Sequence, residues 1–377
     1  MVLNIKIIDF KDEHDDDALR LFYRSVFYNR KEFEYARLPS WKHRYTLEEE
    51  NIKYLAYIND EIAGSLGLIS YHSYIQRKKV KIGFFVDNCV DPKFYKTYNE
   101  IMFQLFEKIE QQALEKDIDY IIGWDYTVKA DEHNELFKKM GYQRLDGINW
   151  FGGGTTPLSV FKVEGFTLSF LWRVLMSSYD LKYYFKERKL KPLNDTIIRT
   201  MEDSDIHKAV ELINTHNEKL NFSPRYTTDS LKASIKKYKA EGLVAEKNNT
   251  IVGVAIFFAA PWSGWMYGKP AYTKSYGFLL IKHPLEFAVQ DNSEEIASQI
   301  LSKAMKTEKN RKHLMLVDVF DRRIDWMKKA FLAIGADEIP YDYGTIFIKN
   351  LSENKIDLSN PIYTPTNLII SPYTEKY

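Results

Sequence analysis

Two aspartates, Asp87 and Asp91, stand at the end of and just beyond the apolar run Lys79 to Val90. Carboxylates so placed are candidates for taking a proton from a reacting group. Cys89, the one cysteine of the chain, lies between them. As a nucleophile it would need a histidine to activate it. His72 and His133 are the local histidines, and neither stands at a telling spacing, so a buried unreactive thiol is the competing reading. His43, His72 and His133 form no metal-ligand pattern, and a single cysteine excludes a Cys-rich zinc site and an internal disulfide. Phe151-Gly152-Gly153-Gly154-Thr155-Thr156-Pro157 offers the glycines of a phosphate loop, but no lysine-serine pair and no helix start follow, so it reads as a linker or turn. Pro261-Trp262-Ser263-Gly264-Trp265-Met266-Tyr267-Gly268 sets two tryptophans and a tyrosine around glycines. Trp262 and Trp265 could stack on a sugar or peptide, or pack against another domain.

The chain that must position these groups has 377 residues, enough for two domains. It is 45% hydrophobic and 28% charged, as a globular protein is. Its 53 basic and 52 acidic residues leave a net charge of +1, which argues against an extended nucleic-acid surface. The first ten residues lack the apolar core of a signal peptide, no stretch has the length of a membrane span, and the lone cysteine suits a reducing cytoplasm. Aromatic content is high, at 15% with 26 tyrosines, from large aromatic cores or from a groove for an extended ligand.

The order of elements occurs twice, with a period near 190 residues, the size of a domain. Strand 5–10 and helix 18–27 precede a hairpin of 54–58 and 61–74 joined at Asn59-Asp60. A long strand (79–90), helix (98–116), strand (119–124) and helix (131–140) closed by Gly141 follow. Residues 29–50 read as an irregular substrate-side loop. In the second half, strand 196–200 and helix 206–218 precede a hairpin over 243–259. A long strand (272–281), helix (294–309), strand (313–320), helix (323–334) closed by Gly335, and last strand (345–349) complete it. Gly335 lies 194 positions after Gly141, and Gly253 lies 189 after Gly64. The expected organisation is a first domain over 1–152, an aromatic bridge over 153–194, a second domain over 195–351 and an extended tail over 352–377. The bridge, partly amphipathic over 158–190, reads as interdomain packing or as a helix lying on a membrane surface.

This order resembles the Gcn5-related N-acetyltransferase (GNAT) fold. Val90-Asp91-Pro92-Lys93-Phe94-Tyr95-Lys96 is similar to the start of that family's coenzyme A loop, and Leu136-Phe137-Lys138-Lys139-Met140-Gly141-Tyr142 to its closing motif. Trp326 to Gly335 is a fainter copy. The resemblance implies an α/β (α+β) protein of two tandem GNAT-like domains, each a mixed, mostly antiparallel sheet flanked by helices. It also implies an acyl-coenzyme A co-substrate, acetyl-coenzyme A by default, with no metal, and an acceptor amine on a small molecule, sugar or peptide.

In such a fold Asp87 flanks the thioester and is the expected general base. Cys89, Val90, Lys93, Tyr95, Lys96, Thr97 and Tyr98 are the expected coenzyme-binding residues. Trp262 and Trp265 are the expected acceptor contacts. Tyr98 and Glu100 stand where the family has small glycines, and Phe137 stands where it commonly has a thiolate-protonating tyrosine. The second copy is expected not to bind coenzyme A, because Pro284 echoes Pro92 but no glycine-rich loop follows. The expected activity is transfer of an acetyl group to an amine in a bacterial cytoplasm. The alternatives are a non-catalytic glycan-, peptide- or small-molecule-binding protein, and a Fem-like aminoacyl or long-chain acyl transferase.

Overall fold

The computed structural model describes residues 4–26, 51–125, 130–145, 148–153, 181–262, 265–266, 269–270, 279–306, 313–338, 345–352 and 358–363. The first half comprises β1 (Ile5–Asp9), α1 (Asp15–Val26), β2 (Asn51–Ile58), β3 (Glu61–Ile75) and β4 (Lys78–Val90). It continues with α2 (Tyr98–Glu115), β5 (Tyr120–Asp125), α3 (Ala130–Lys139), β6 (Gln143–Leu145) and β7 (Ile148–Gly153). A short helix, α4, occupies residues 181–187. The second half opens with β8 (Thr196–Thr200), α5 (Ile206–Asn217), α6 (Thr228–Tyr238), β9 (Glu241–Lys247) and β10 (Thr250–Trp262). The short strands β11 (Trp265–Met266) and β12 (Lys269–Pro270) precede β13 (Leu279–Val289), α7 (Glu294–Lys306) and β14 (His313–Asp321). The last elements are α8 (Asp325–Ala333), β15 (Asp337–Glu338) and β16 (Thr345–Asn350).

The duplication is visible in local chemistry. Asn59 and Asp60 carry φ of 50° and 61°, and Asn248 and Asn249 carry 49° and 62°. Two consecutive left-handed residues make the tight turn whose twist matches a hairpin, and Asn and Asp tolerate that conformation. Gly141 and Gly335, at φ 82° and 89°, end α3 and α8. In each case the following amide, Tyr142 N or Ala336 N, donates back to Phe137 O or Phe331 O, satisfying carbonyls the helix leaves open. Gly64 and Gly253 let the long helix lie close on the sheet. A Cβ on Gly64 would come 2.8 Å from Ile101, and one on Gly253 would come 2.8 Å from Ile296 and Ile300.

The sheets join in a way the linear order does not announce. The first runs β1-β2-β3-β4-β5-β16-β6, and the second runs β15-β7-β14-β13-β10-β9-β8. Each half thus gives its last strand to the other. β16 pairs antiparallel with β5, Phe347 opposite Gly123, and β7 pairs antiparallel with β14, Trp150 opposite Val319. Ile346, Phe347 and Ile348 are buried in the first half's core, where Phe347 stacks on Phe137 at 4.2 Å. Residues 148–152, assigned by sequence order to the first domain, therefore complete the second sheet, and 345–350 complete the first. A second seam forms where Phe222 N donates to Tyr74 O, Tyr74 N to Ser223 O, and Asn221 N to Pro361 O of the tail.

Two expectations change. Helix α6 has no counterpart in the sequence reading, although Thr227 and Ser230 form a reciprocal cap and Leu231, Ile235 and Tyr238 share one face. The second long strand does not end at Ile281. It runs through Pro284 to Val289. Pro284 is accommodated where the β10–β13 register shifts, between Ile256 opposite Glu286 and Phe257 opposite Pro284; a bulge is where a strand tolerates a missing N–H. Pro284 is therefore not the counterpart of Pro92. The expected loop over 29–50 lies outside the described residues, as do residues 154–180 of the bridge.

Candidate functional site

In the first half β4 and β5 are parallel neighbours only over Ile82–Phe84 and Tyr120–Ile122, although β4 continues to Val90 and β5 to Asp125. Beyond that point, among the described residues, β4 has no strand partner on its β5 side. A bulge in β4 marks the opening. Ser65 pairs with Cys89 and Gly67 with Val86, so Asp87 and Asn88 together oppose Leu66. Asp87 takes the left-handed conformation, φ 56°, and its side chain is buried. Bulges of this kind re-aim side chains beside sites.

Asp91 has a different task. It caps the turn of Pro92–Thr97, accepting from Lys93 N at 3.0 Å, and holds Arg24 of α1 at 2.6 Å. Those two bonds account for both carboxylate oxygens and leave Asp87 as the base candidate. Cys89 is 2% exposed, with Sγ 3.3 Å from Asp87 O and 3.5 Å from Ser65 Oγ. It is a packed thiol, not an electropositive one. Val90 is also in the core, so Cys89 and Val90 could meet a coenzyme only through backbone.

The expected coenzyme-binding segment lies at the N-terminus of α2. Lys93 is ion-paired with Glu61 and lies over the Phe94 ring at 5.4 Å. Tyr95 is exposed and its hydroxyl reaches Ser25 O at 3.5 Å; Lys96 is exposed. Thr97 is the residue that would cap α2, but its hydroxyl donates to Phe94 O at 2.9 Å instead. The helix end is thus without a side-chain cap, a setting in which first-turn N–H groups suit an anion. Tyr98 packs against the core and its hydroxyl approaches Asn88 Oδ1 of the bulge at 3.4 Å. Glu100 is exposed, so water and salt screen its repulsion for a phosphate. A cavity of about 320 Å³ lies beside it, lined by Asn99, Glu100, Phe103, Gln104, Leu136 and Lys139. Phe137 is a core ring against Phe106, Tyr142 and Phe347, so it offers no hydroxyl to a leaving thiolate.

The second half holds a group that the sequence reading passed over. Gly64 pairs with Val90, and Gly253 pairs with Val289. Counting back three residues from each valine reaches Asp87 and Glu286. Glu286 is fully buried, accepting from the Tyr226 hydroxyl at 2.8 Å and from Asn217 Nδ2 at 3.2 Å. Burial pushes its carboxyl up to about 8, against the pull of those two hydrogen bonds, and Asp318 adds to the rise. Tyr363 from the tail is buried in the same field, and burial and the two carboxylates raise its hydroxyl further. His216, beside Asn217 and edge-on to Trp326 at 5.3 Å, is held down to about 4 by burial. A lone Glu inside the apolar run Pro284-Leu285-Glu286-Phe287-Ala288-Val289 was the available signal.

Trp262 ends β10 opposite Leu279, and Trp265 pairs with Pro270 in the β11–β12 ladder; both side chains lie outside the described residues. No group of three or more His, Cys, Asp and Glu suited to a metal ion occurs among the described residues.

No known protein family and no curated protein matches the chain in sequence. Solved structures match it along nearly its full length. N-myristoyltransferase of Saccharomyces cerevisiae with bound myristoyl-CoA is 11% identical, with a TM-score of 0.61, over 97% of this chain and 90% of that one. A GCN5-related N-acetyltransferase from Anabaena variabilis is 10% identical, with a TM-score of 0.54, over 92% and 73%. A probable N-acyltransferase from Enterococcus faecalis is 8% identical, with a TM-score of 0.53, over the same shares. At such identities the likeness is one of fold. Strand order, the open β4–β5 edge and these full-length matches agree: the chain is built on the GNAT fold, present in two copies that exchange their last strands.

Proposed function

We propose that the protein is an acyl-coenzyme A-dependent N-acyltransferase whose first half holds the acyl donor. The observation that carries this reading is the coincidence, in the first half, of an unpartnered β4 edge, a bulge at Asp87 and a helix end without a side-chain cap; β13 and β14 part in the same way, but there Ser293 caps the helix and Glu286 is sealed under Tyr226 and Asn217. Backbone N–H groups on the open edge suit the thioester oxygen, where negative charge develops when the amine attacks. The uncapped end of α2, with Lys96 beside it, suits the pyrophosphate. Asp87 takes the proton from the acceptor ammonium, directly or through water. The amine nitrogen then bonds to the acyl carbon, the carbon–sulfur bond breaks, and the second proton that the nitrogen sheds as it becomes an amide passes through water to the leaving thiolate. Similar structures include an acetyltransferase and a myristoyl-CoA-bound enzyme, so the acyl chain is a matter for experiment; acetyl is the default. The acceptor is an amine on a small molecule, sugar or peptide, with Trp262 and Trp265 proposed as its contacts.

Glu100 and the pairing of Lys93 with Glu61 favour the second reading, a binding protein with a weakened donor site. Calorimetric titration with acetyl-, myristoyl- and free coenzyme A separates the two. One site of micromolar affinity is expected for at least one thioester; no heat at millimolar ligand overturns the proposal. Asp87→Asn should leave that affinity unchanged and slow acyl transfer about a hundredfold or more. An unaltered rate and pH profile would remove Asp87 from the mechanism.

A further inference from the structure

Helix α4 is turned inside out. Leu181, Tyr184, Phe185 and Arg188 stand at i, i+3, i+4 and i+7, the spacing that normally faces a core. Here Leu181 is 57% exposed, Phe185 is 59% and Tyr184 is 37%. The opposite side is the one that is anchored. Tyr183 is buried, donates its hydroxyl to Ser302 O at 3.2 Å, and lies on Gly335, where an added Cβ would meet its backbone at 3.1 Å. Lys182 is ion-paired with Asp337. The helix is therefore fixed to the second domain by one face while its apolar stripe points to water. Leu332, also exposed, lies three residues before Gly335, on which Tyr183 rests.

The charge around this stripe is equally uneven. Residues 181–191 contain Lys182, Lys186, Arg188, Lys189 and Lys191 against the single acid Glu187. That is a net +4 in eleven residues of a chain whose total is +1. Lys186, Lys189 and Lys191 are exposed, and Arg188 lies over the Tyr184 ring at 4.2 Å. An apolar, aromatic stripe flanked by lysines is what an anionic bilayer surface accepts. The rings and the leucine enter the interface while the ammonium groups stay at headgroup level. Since α4 spans only residues 181–187, the contact is one of lying on the bilayer, not crossing it, and no described helix is long and apolar enough to cross.

We propose that this face docks the protein on anionic lipid surfaces, through Leu181, Tyr184 and Phe185 with Lys186, Arg188 and Lys189. The inference does not depend on the acyltransferase reading. The test is co-sedimentation of the full chain with phosphatidylcholine vesicles with and without about one-third phosphatidylserine. Binding is expected only to the anionic vesicles and should weaken as salt is raised. Phe185→Ser and the double charge reversal Lys186→Glu with Lys189→Glu should each weaken it about tenfold or more, with unchanged unfolding temperature as the control for folding. Lack of binding by the wild type overturns the proposal. So does equal binding to both vesicle types, or binding that both variants retain. Concentration-dependent self-association lost in Phe185→Ser without vesicle binding would assign the face to a second copy of the chain and also overturn it.

Discussion

The two helix ends that face the two clefts are built oppositely. In the first half Thr97 turns its hydroxyl back to Phe94 O, and α2 begins without a side-chain cap. In the second half Ser293 Oγ accepts from Ile296 N at 3.3 Å, and Glu294 and Glu295 fill the first turn of α7. A carboxylate-rich, self-capped helix end has no use for a phosphate. The paired strand position differs in the same sense. Both carboxylates lie beside a bulge, beyond the point where the parallel strands part, but Glu286 is sealed under Tyr226 and Asn217, with Tyr363 of the tail nearby. One scaffold, used twice, has thus filled the second of the two equivalent positions with a polar core. The second cleft became an adhesive between the second half, the tail and the tip of β3, where Tyr71 donates to Phe222 O.

The strand exchange makes the sharpest way to break the comparison. A fragment of residues 1–194 lacks β16, so β5 loses a neighbour and β6 loses the one strand it pairs with among the described residues. It should show no cooperative thermal transition, and a well-folded fragment would mean the halves are independent after all. Phe347→Ala should cost about 3–5 kcal/mol by the removal of a buried ring. Hydrogen exchange should register the loss in β5 of the first half, although residue 347 is encoded in the second.

The next effect is pH dependence. Glu286 holds its proton more tightly folded than unfolded, so its contribution is complete below about 4.5 and is lost as pH rises to about 8. His216 is buried neutral. Its contribution is complete above about 6.5 and is lost as pH falls towards 4. Together they give a plateau between about 4.5 and 6.5 and a fall of about 2 kcal/mol between pH 6.5 and 8. Urea unfolding of the wild type and of Glu286→Gln at pH 6.5 and 8.5 should show the fall in the first and not in the second. The smallest expected effect concerns the caps. Ser293→Ala should cost about 1 kcal/mol, while Thr97→Ala should cost less, because Thr97 does not cap α2. Equal losses would erase the contrast between the two helix ends.

Much of this was legible in the chain. The turns at Asn59-Asp60 and Asn248-Asn249, the stops at Gly141 and Gly335, and the apolar face of α2 are set by residues a few positions apart. Backbone conformational preference and helical spacing act at that range. The long strand that carries Asp87 could be counted in the chain, and α6 was missed although its cap was in plain view. Pro284 misled because a proline usually ends a strand, and only a cross-strand register shift showed that this one sits in a bulge. By itself, then, the sequence determined the elements, their repetition and the GNAT-like order. Tertiary structure alone decided which sheet receives β7 and β16, that Glu286 is sealed under Tyr226 and Asn217, and that α4 turns its apolar stripe to water. A strand alternates with the same period whichever sheet it joins, and a carboxyl's proton affinity is set by neighbours that come from distant parts of the chain.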